Sequence, residues 1–281
     1  TFGQYGKFKV QFRYDEIPHT YTNTARSLYV QTSPSVYVIL PATKQILQDR
    51  SSTVCATPPC TAAQINISLP GFVTTQVVPG ENFIVPAIQR KAGTGLVSWD
   101  ITPDWNASFL FSRENQVGTR PIGLLFQVFP SASASSLSSG VFNQQSPGTG
   151  AEVPEPIDYF NNTVKVMAEY GKKHWGVQLG YTGSFFQNNI NALLFDNPFA
   201  TADVPVKTFA PVPDPGASGC TGTARCSIGA VPARGQVDLY PGNHAHYLNF
   251  AGAFDLGKYV RVMGTVNPGW LRQNDPFLPY S

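Results

Sequence analysis

No stretch of this sequence approaches 18 consecutive apolar residues, so no membrane-crossing helix is written in it. Charge is scarce as well. Asp, Glu, Lys and Arg make up 13% of the residues, about half the usual share of a soluble globular domain. Greasy runs do not fill the gap, since hydrophobic residues reach only 42% and the mean hydropathy is −0.11. A net charge of +2 without any basic cluster leaves no footprint for nucleic acid or another polyanion. Cys-x-x-Cys-His is missing, which excludes covalent attachment of a c-type haem to this chain. A starting Met, a charged n-region and an apolar h-region are missing too. The last residues, Pro279-Tyr280-Ser281, stop just after a strand pattern. These ends lead us to expect an excerpt from a longer barrel, with residues 1–281 forming one domain.

Aromatics are plentiful at 12%, and there are 25 glycines and 24 prolines. The clearest pattern lies in residues 155–199. Val164, Val166, Ala168 and Tyr170 alternate with Lys165, Met167, Glu169 and Gly171; after Lys172-Lys173-His174, Trp175, Val177, Leu179 and Tyr181 alternate with Gly176, Gln178, Gly180 and Thr182. A period of two on both sides of a short polar link predicts a hairpin. Similar alternation predicts strands near 8–15, 95–101, 105–113, 246–256 and 258–266, with the first strand ended by Glu16-Ile17-Pro18 because proline removes a ladder donor.

The connections alternate in length. Links near residues 103, 172 and 257 are short, whereas long irregular stretches fill 16–91, 117–154 and 198–242, the second including the low-complexity run Ser131–Gly140. Weak strand-like runs lie at Leu28–Val30, Ser35–Leu40 and Ile65–Leu69. Loops this long are uncommon in compact soluble domains. Short turns at one end and long loops at the other define the expected class: an all-β, antiparallel transmembrane barrel of the bacterial outer membrane, with periplasmic turns and extracellular loops. Trp99, Trp105, Tyr170, Trp175 and Tyr259 sit beside the short turns, as an interfacial girdle requires. The rival architecture is a secreted β-sandwich.

In a barrel, Phe8, Val10, Phe12, Val177, Leu179, Phe250 and Phe254 meet lipid. Lys9, Arg13, Asp15, Lys165, Glu169, Gln178, Asp255 and Arg261 then line the lumen. The mixed signs give no ring of one charge to select ions. They suit a protein plug held by scattered contacts, although an unselective porin would share them. Cys55 with Cys60, and Cys220 with Cys226, are spaced for two local disulfides of roughly 2 kcal/mol each, with a metal site as the alternative. His19, His244 and His246 read as polar rim residues. Glu152, Glu155 and Asp158, around Pro154 and Pro156, read as loop carboxylates facing solvent or calcium.

Several segments resemble one family: DEIPHTYTNTAR, GTRPIG, PEPIDY, YTGSFFQNNINALLFDNPF, LYPGNHAHYLNFAGAF and RQNDPFLPY, in order from about residue 15 to the end. They are similar to the MtrB/PioB outer-membrane barrels, which associate with multihaem c-type cytochromes. The resemblance implies a barrel sheath, not an enzyme, that houses or docks such a cytochrome so that electrons cross the outer membrane. Haem would reside in the partner, and this chain would bind no cofactor of its own. The Cys-x-x-Cys seen near the N-terminus of some members is absent, so no redox role transfers. A general solute porin without a cytochrome is the alternative.

Overall fold

The computed structural model describes residues 1–48, 70–125, 150–198 and 233–276. The four cysteines, and with them both expected disulfides, lie outside those residues, as do the runs at 65–69 and 131–140. In chain order the strands are β1 (Phe2–Gln4), β2 (Phe8–Thr20), β3 (Arg26–Ser27), β4 (Tyr29–Ser33) and β5 (Val36–Ile39). Helix α1 (Pro41–Gln48) and a short helical stretch over Val73–Gly80 follow, then β6 (Asn82–Phe83), β7 (Ala87–Thr102), β8 (Trp105–Leu125), β9 (Gly150–Lys172) and β10 (Trp175–Asn188). The remainder are β11 (Ala192–Asp196), β12 (Arg234–Asp238), β13 (Asn243–Leu256), β14 (Val260–Val266) and β15 (Gly269–Gln273).

The main sheet is a meander in the order β1-β2-β7-β8-β9-β10-β13-β14, with β15 also on β13, and every pairing in it is antiparallel. All the strands expected from alternation are present. The sheet is not closed among the described residues, where β1–β2 and β14–β15 remain its two edges.

The hairpins are staggered at a constant rate. Phe8, Trp99, Ala107, Ala168, Leu179, Phe250 and Val266 are successive cross-strand partners and define one row. The β1–β2 hairpin ends at that row, with Gln4 opposite Phe8. The β7–β8 hairpin runs two residues beyond it to Trp105, β9–β10 four beyond to Trp175, and β13–β14 six beyond to Leu256 opposite Val260. One residue of stagger per strand, about 3.4 Å of rise across about 4.8 Å of sheet, corresponds to a tilt of about 35°, as in barrels. Backbone bonds tie each turn to the next hairpin: Asp100 N–H to Lys7 O (2.7 Å), Gly171 N–H to Asp104 O (3.0 Å) and Asp255 N–H to His174 O (2.8 Å).

Four strands outrun the sequence reading by five residues or more; one is β7, which begins at Ala87 rather than near 95. β2 continues through Pro18 to Thr20, which is possible because, among the described residues, it pairs beyond β1 only with β7 and its other edge is free there. β8 and β9 extend to Leu125 and from Gly150, so much of the expected 117–154 loop is a two-stranded ribbon. Its prolines 154 and 156 lie where β10 has already ended, with no ladder donor required on that side. The ribbon leaves the main sheet at Gly118, the last residue of β8 opposite β7. Gly118 has φ +149°, and a Cβ there would lie 2.0 Å from Ala87 O.

The long connections also fold. β12-β11-β5-β4 form a second sheet, in which β11 runs parallel to β5, a departure from the all-antiparallel expectation. The buried core sits here: Tyr29, Tyr37, Ile39, Leu47, Phe72, Leu193 and Phe195 pack with Val153 from the ribbon. Asp196, 2% exposed, organises the module. Its carboxylate accepts from Ile39 N–H (3.0 Å) and Arg234 Nε (3.0 Å), and its carbonyl accepts from Tyr29 OH (2.9 Å).

Gly118→Ala is expected to lower stability by about 1–3 kcal/mol and to loosen the ribbon, whereas Gly95→Ala, which meets open space, should be tolerated; thermal unfolding of the two variants checks this. Tyr37 offers a second test. Its hydroxyl is buried without a partner among the described residues, and burial pushes its pKa up to about 12. The fold therefore favours the neutral phenol, and that preference is intact below pH about 10 and lost as pH climbs towards 12. Tyr37→Phe should gain about 1 kcal/mol and weaken the alkaline loss of the module, read by circular dichroism during alkaline titration.

Candidate functional site

The main sheet is inside out compared with a soluble one. In β10, Trp175, Val177 and Leu179 are exposed while Gly176, Gln178 and Gly180 are half-buried; in β13, Phe250, Phe254 and Leu256 are exposed while Ala251, Ala253 and Asp255 are half-buried. Directly opposed residues share a face, so the register joins these alternations across strands. Phe8, Val10 and Phe12 fall on one face with Trp99, Phe109, Val166, Val177, Leu179, Phe250 and Phe254. Lys9, Arg13, Asp15, Lys165, Glu169, Gln178, Asp255 and Arg261 fall together on the other.

The apolar face has two borders. Near the short turns, Trp105, Tyr170 and Trp175 pack ring against ring at 4.7 and 5.1 Å. From the border residues Phe8, Trp99, Trp105, Tyr170 and Phe254, the far border is reached eight residues along each strand, at Glu16, Lys91, Arg113, Asn162 and His246 respectively. Every same-face residue between them is uncharged. Eight rises of about 3.4 Å at a tilt of about 35° span about 22 Å, close to the roughly 25 Å apolar band of membrane barrels. Polar aromatics mark the far border too. Tyr181 OH lies 2.7 Å from His246 Nδ1, His246 stacks on Trp270 at 5.3 Å, and Arg113 sits 4.1 Å from the Phe160 ring centroid. His246 is thus an aromatic-packed border residue on the apolar face.

The polar face is concave and low in relief. A hollow of about 1210 Å³ near the short turns is lined by residues from β2 to β14, including Asn106, Glu169, Gln178, Ala253 and Met263. Small side chains pave the wall and bond to one another across strands: Thr94 with Ser112 (2.9 Å), Asn106 with Ser98 (3.2 Å), Ser184 with Asn161 (3.0 Å) and Asn249 with Thr182 (3.3 Å). Most charges are already paired. Arg13 holds Asp15 (2.7 Å), Arg90 holds Glu114 (2.5 Å), and Asp255 meets Arg261 (3.6 Å) and His174 (3.8 Å). Lys9, Lys165 and Glu169 make no ion pair among the described residues.

Above this wall, the family-like segments meet in a latch that the sequence reading missed. Arg120 of GTRPIG grips Glu155 of PEPIDY through Nε (2.6 Å) and Nη2 (3.0 Å) and donates to Tyr240 OH (3.2 Å). Glu155 is 3% exposed and belongs to a strand, so it is neither a loop carboxylate nor solvent- or calcium-facing. Asp158 likewise lies in β9 and accepts from Asn189 Nδ2 (3.1 Å). Asn188 Nδ2 donates to Tyr240 O (3.1 Å), and Gly242 N–H donates to Asp275 (2.7 Å). Glutamate between two prolines is an ordinary loop pattern, so the sequence carried no local signal of this burial.

A tilted meander with an apolar band between aromatic borders and a concave polar reverse face defines a transmembrane β-barrel wall. Comparison with protein families agrees: the model described as "Putative outer membrane beta-barrel porin, MtrB/PioB" matches residues 1–281. The chain belongs to that family and to the bacterial outer membrane, and a porin is not a class of enzyme. A search of curated proteins found no match.

Arg120→Ala should cost about 3–5 kcal/mol by stranding the buried Glu155 charge, seen as a lower unfolding temperature and faster proteolysis near residues 233–242. The double variant Arg120→Met with Glu155→Leu should recover most of that loss.

Proposed function

We propose that this wall houses or docks a multihaem c-type cytochrome and insulates it, while the chain itself performs no redox chemistry. In this reading the apolar band meets lipid and the concave face lines the lumen, with the short turns periplasmic and the long-connection module extracellular. The observation that carries it is the wall's relief. Small residues such as Ser98, Ser108, Thr163, Gly180 and Ala251 let a folded partner approach the sheet closely, and cross-strand bonds such as Asn106 with Ser98 and Thr94 with Ser112 satisfy part of the wall's polar groups within it. A row of haems crossing hydrocarbon would expose propionates and irregular backbone to lipid, where unsatisfied polar groups cost several kcal/mol each. The wall removes that cost by closing its own backbone ladder and presenting an apolar exterior. Lys9, Lys165 and Glu169, which make no ion pair among the described residues, are charges available to the partner.

The test is c-type haem absorbance in the unheated complex purified from outer membranes. Leu179→Arg should impair insertion by about 2–4 kcal/mol if the site lies at mid-membrane, read as loss of heat-modifiable migration. Lys165→Glu should leave migration intact and reduce the haem retained. A barrel that carries no haem protein and passes small solutes freely in liposomes would overturn the conduit and establish a general porin.

A further inference from the structure

Insulation does not account for a second concavity, of about 450 Å³, in the polar face at the end remote from the short turns. Its volume falls in the range of small-molecule sites, about 300–1,000 Å³. Four adjacent strands build it, since Glu114, Asn161, Phe186 and Asn243 are successive cross-strand partners in β8, β9, β10 and β13. Tyr159 lies beside Phe186, with ring centroids 5.2 Å apart, and Tyr240 of the latch completes the lining.

The hydrogen-bonding capacity left over describes the ligand. Asn161 accepts from Ser184 through Oδ1, which leaves its Nδ2 donor unused. Asn243 uses one Nδ2 hydrogen on Pro241 O (3.4 Å), which leaves the other and Oδ1. Gln116 uses one Nε2 hydrogen on Glu114 (2.6 Å), which leaves the other and Oε1. The Tyr159 hydroxyl makes no bond among the described residues. The single carboxylate, Glu114, is neutralised by Arg90 at 2.5 Å. The site therefore offers unused neutral donors and acceptors around aromatic rings, and no free charge. Hydroxyls, each both donor and acceptor, match that set, and the polarised C–H face of a sugar ring matches the electron-rich face of an aromatic ring.

We propose that this concavity is a binding site for neutral saccharides on the inner wall of the barrel. It goes beyond the conduit reading, because a sheath needs no such cluster. Tyr159, Ser184, Phe186, Tyr240 and Asn243 all come from the family-like segments PEPIDY, YTGSFFQNN and LYPGNH, so those segments supply a site as well as the latch.

The experiment titrates the purified full chain in detergent with glucose and maltose by calorimetry. Glucuronate, glucosamine and an N-acetylated dipeptide amide serve as competitors. Saturable binding of the neutral sugars is expected, weakened about ten-fold or more, or 1.4 kcal/mol, by Asn161→Leu and by Phe186→Ala. Heat-modifiable migration of each variant verifies that the barrel has formed. No saturable sugar binding, binding that survives both substitutions, or preference for the peptide amide or a charged sugar would each overturn the proposal. Haem retention is scored separately: sugar binding lost with haem retained overturns this site alone, and the converse overturns the conduit alone.

Discussion

Hydrocarbon offers no hydrogen bonds, so a chain crossing it must pair every backbone N–H and C=O within itself. The main sheet meets this demand with an almost unbroken ladder from β2 to β14, and its other properties follow from that ladder. Direct pairing forces side chains of neighbouring strands onto shared faces, so one alternation spreads across the sheet without a core behind it. Bulges are few; one sits at the Asp100–Thr102 turn, outside the band, where it cannot throw a charge onto the apolar face.

The end remote from the short turns obeys the opposite rule. There the second sheet encloses apolar side chains, as water demands, and its buried charges are matched: Asp196 with Arg234 and Lys44, Glu155 with Arg120. The β8–β9 ribbon belongs to both regimes. Below Gly118 it shows aliphatic and aromatic residues outward, as at Phe109 and Val166, whereas above it Ile122, Leu124 and Val153 turn to the module core. A single continuous hairpin thus fixes the height of the module over the wall, and the Arg120–Glu155–Tyr240 latch fastens the β10–β13 connection to it.

Strands, turns and faces of the wall were legible because a period of two is a local signal, present in runs such as Val164–Tyr170 and Trp175–Tyr181. The far ends of β2, β8 and β9 were hidden by Pro18, Pro121, Pro154 and Pro156. Proline stops a strand with two neighbours but is harmless at a free edge, and edge status depends on where other strands end. The second sheet was only partly visible, in the runs at 28–30 and 35–40. Its partner β11 lies more than 150 residues away, and the parallel β5–β11 pair has no turn to announce it. For the same reason Glu155 looked solvated: its charge partner is 35 residues upstream. The concavity on the polar face was invisible to any one segment, being assembled from four strands at one level.

The constant stagger has a geometric corollary. Because each hairpin advances by the same two residues, every hairpin is related to its neighbour by one screw-like step. Inserting a further hairpin of the same kind would enlarge the circumference while preserving wall height, tilt and the level of the aromatic borders. Barrel diameter grows roughly in proportion to strand number at fixed tilt. The bore can therefore be widened by duplication of hairpins alone, with no residue in the existing wall having to change.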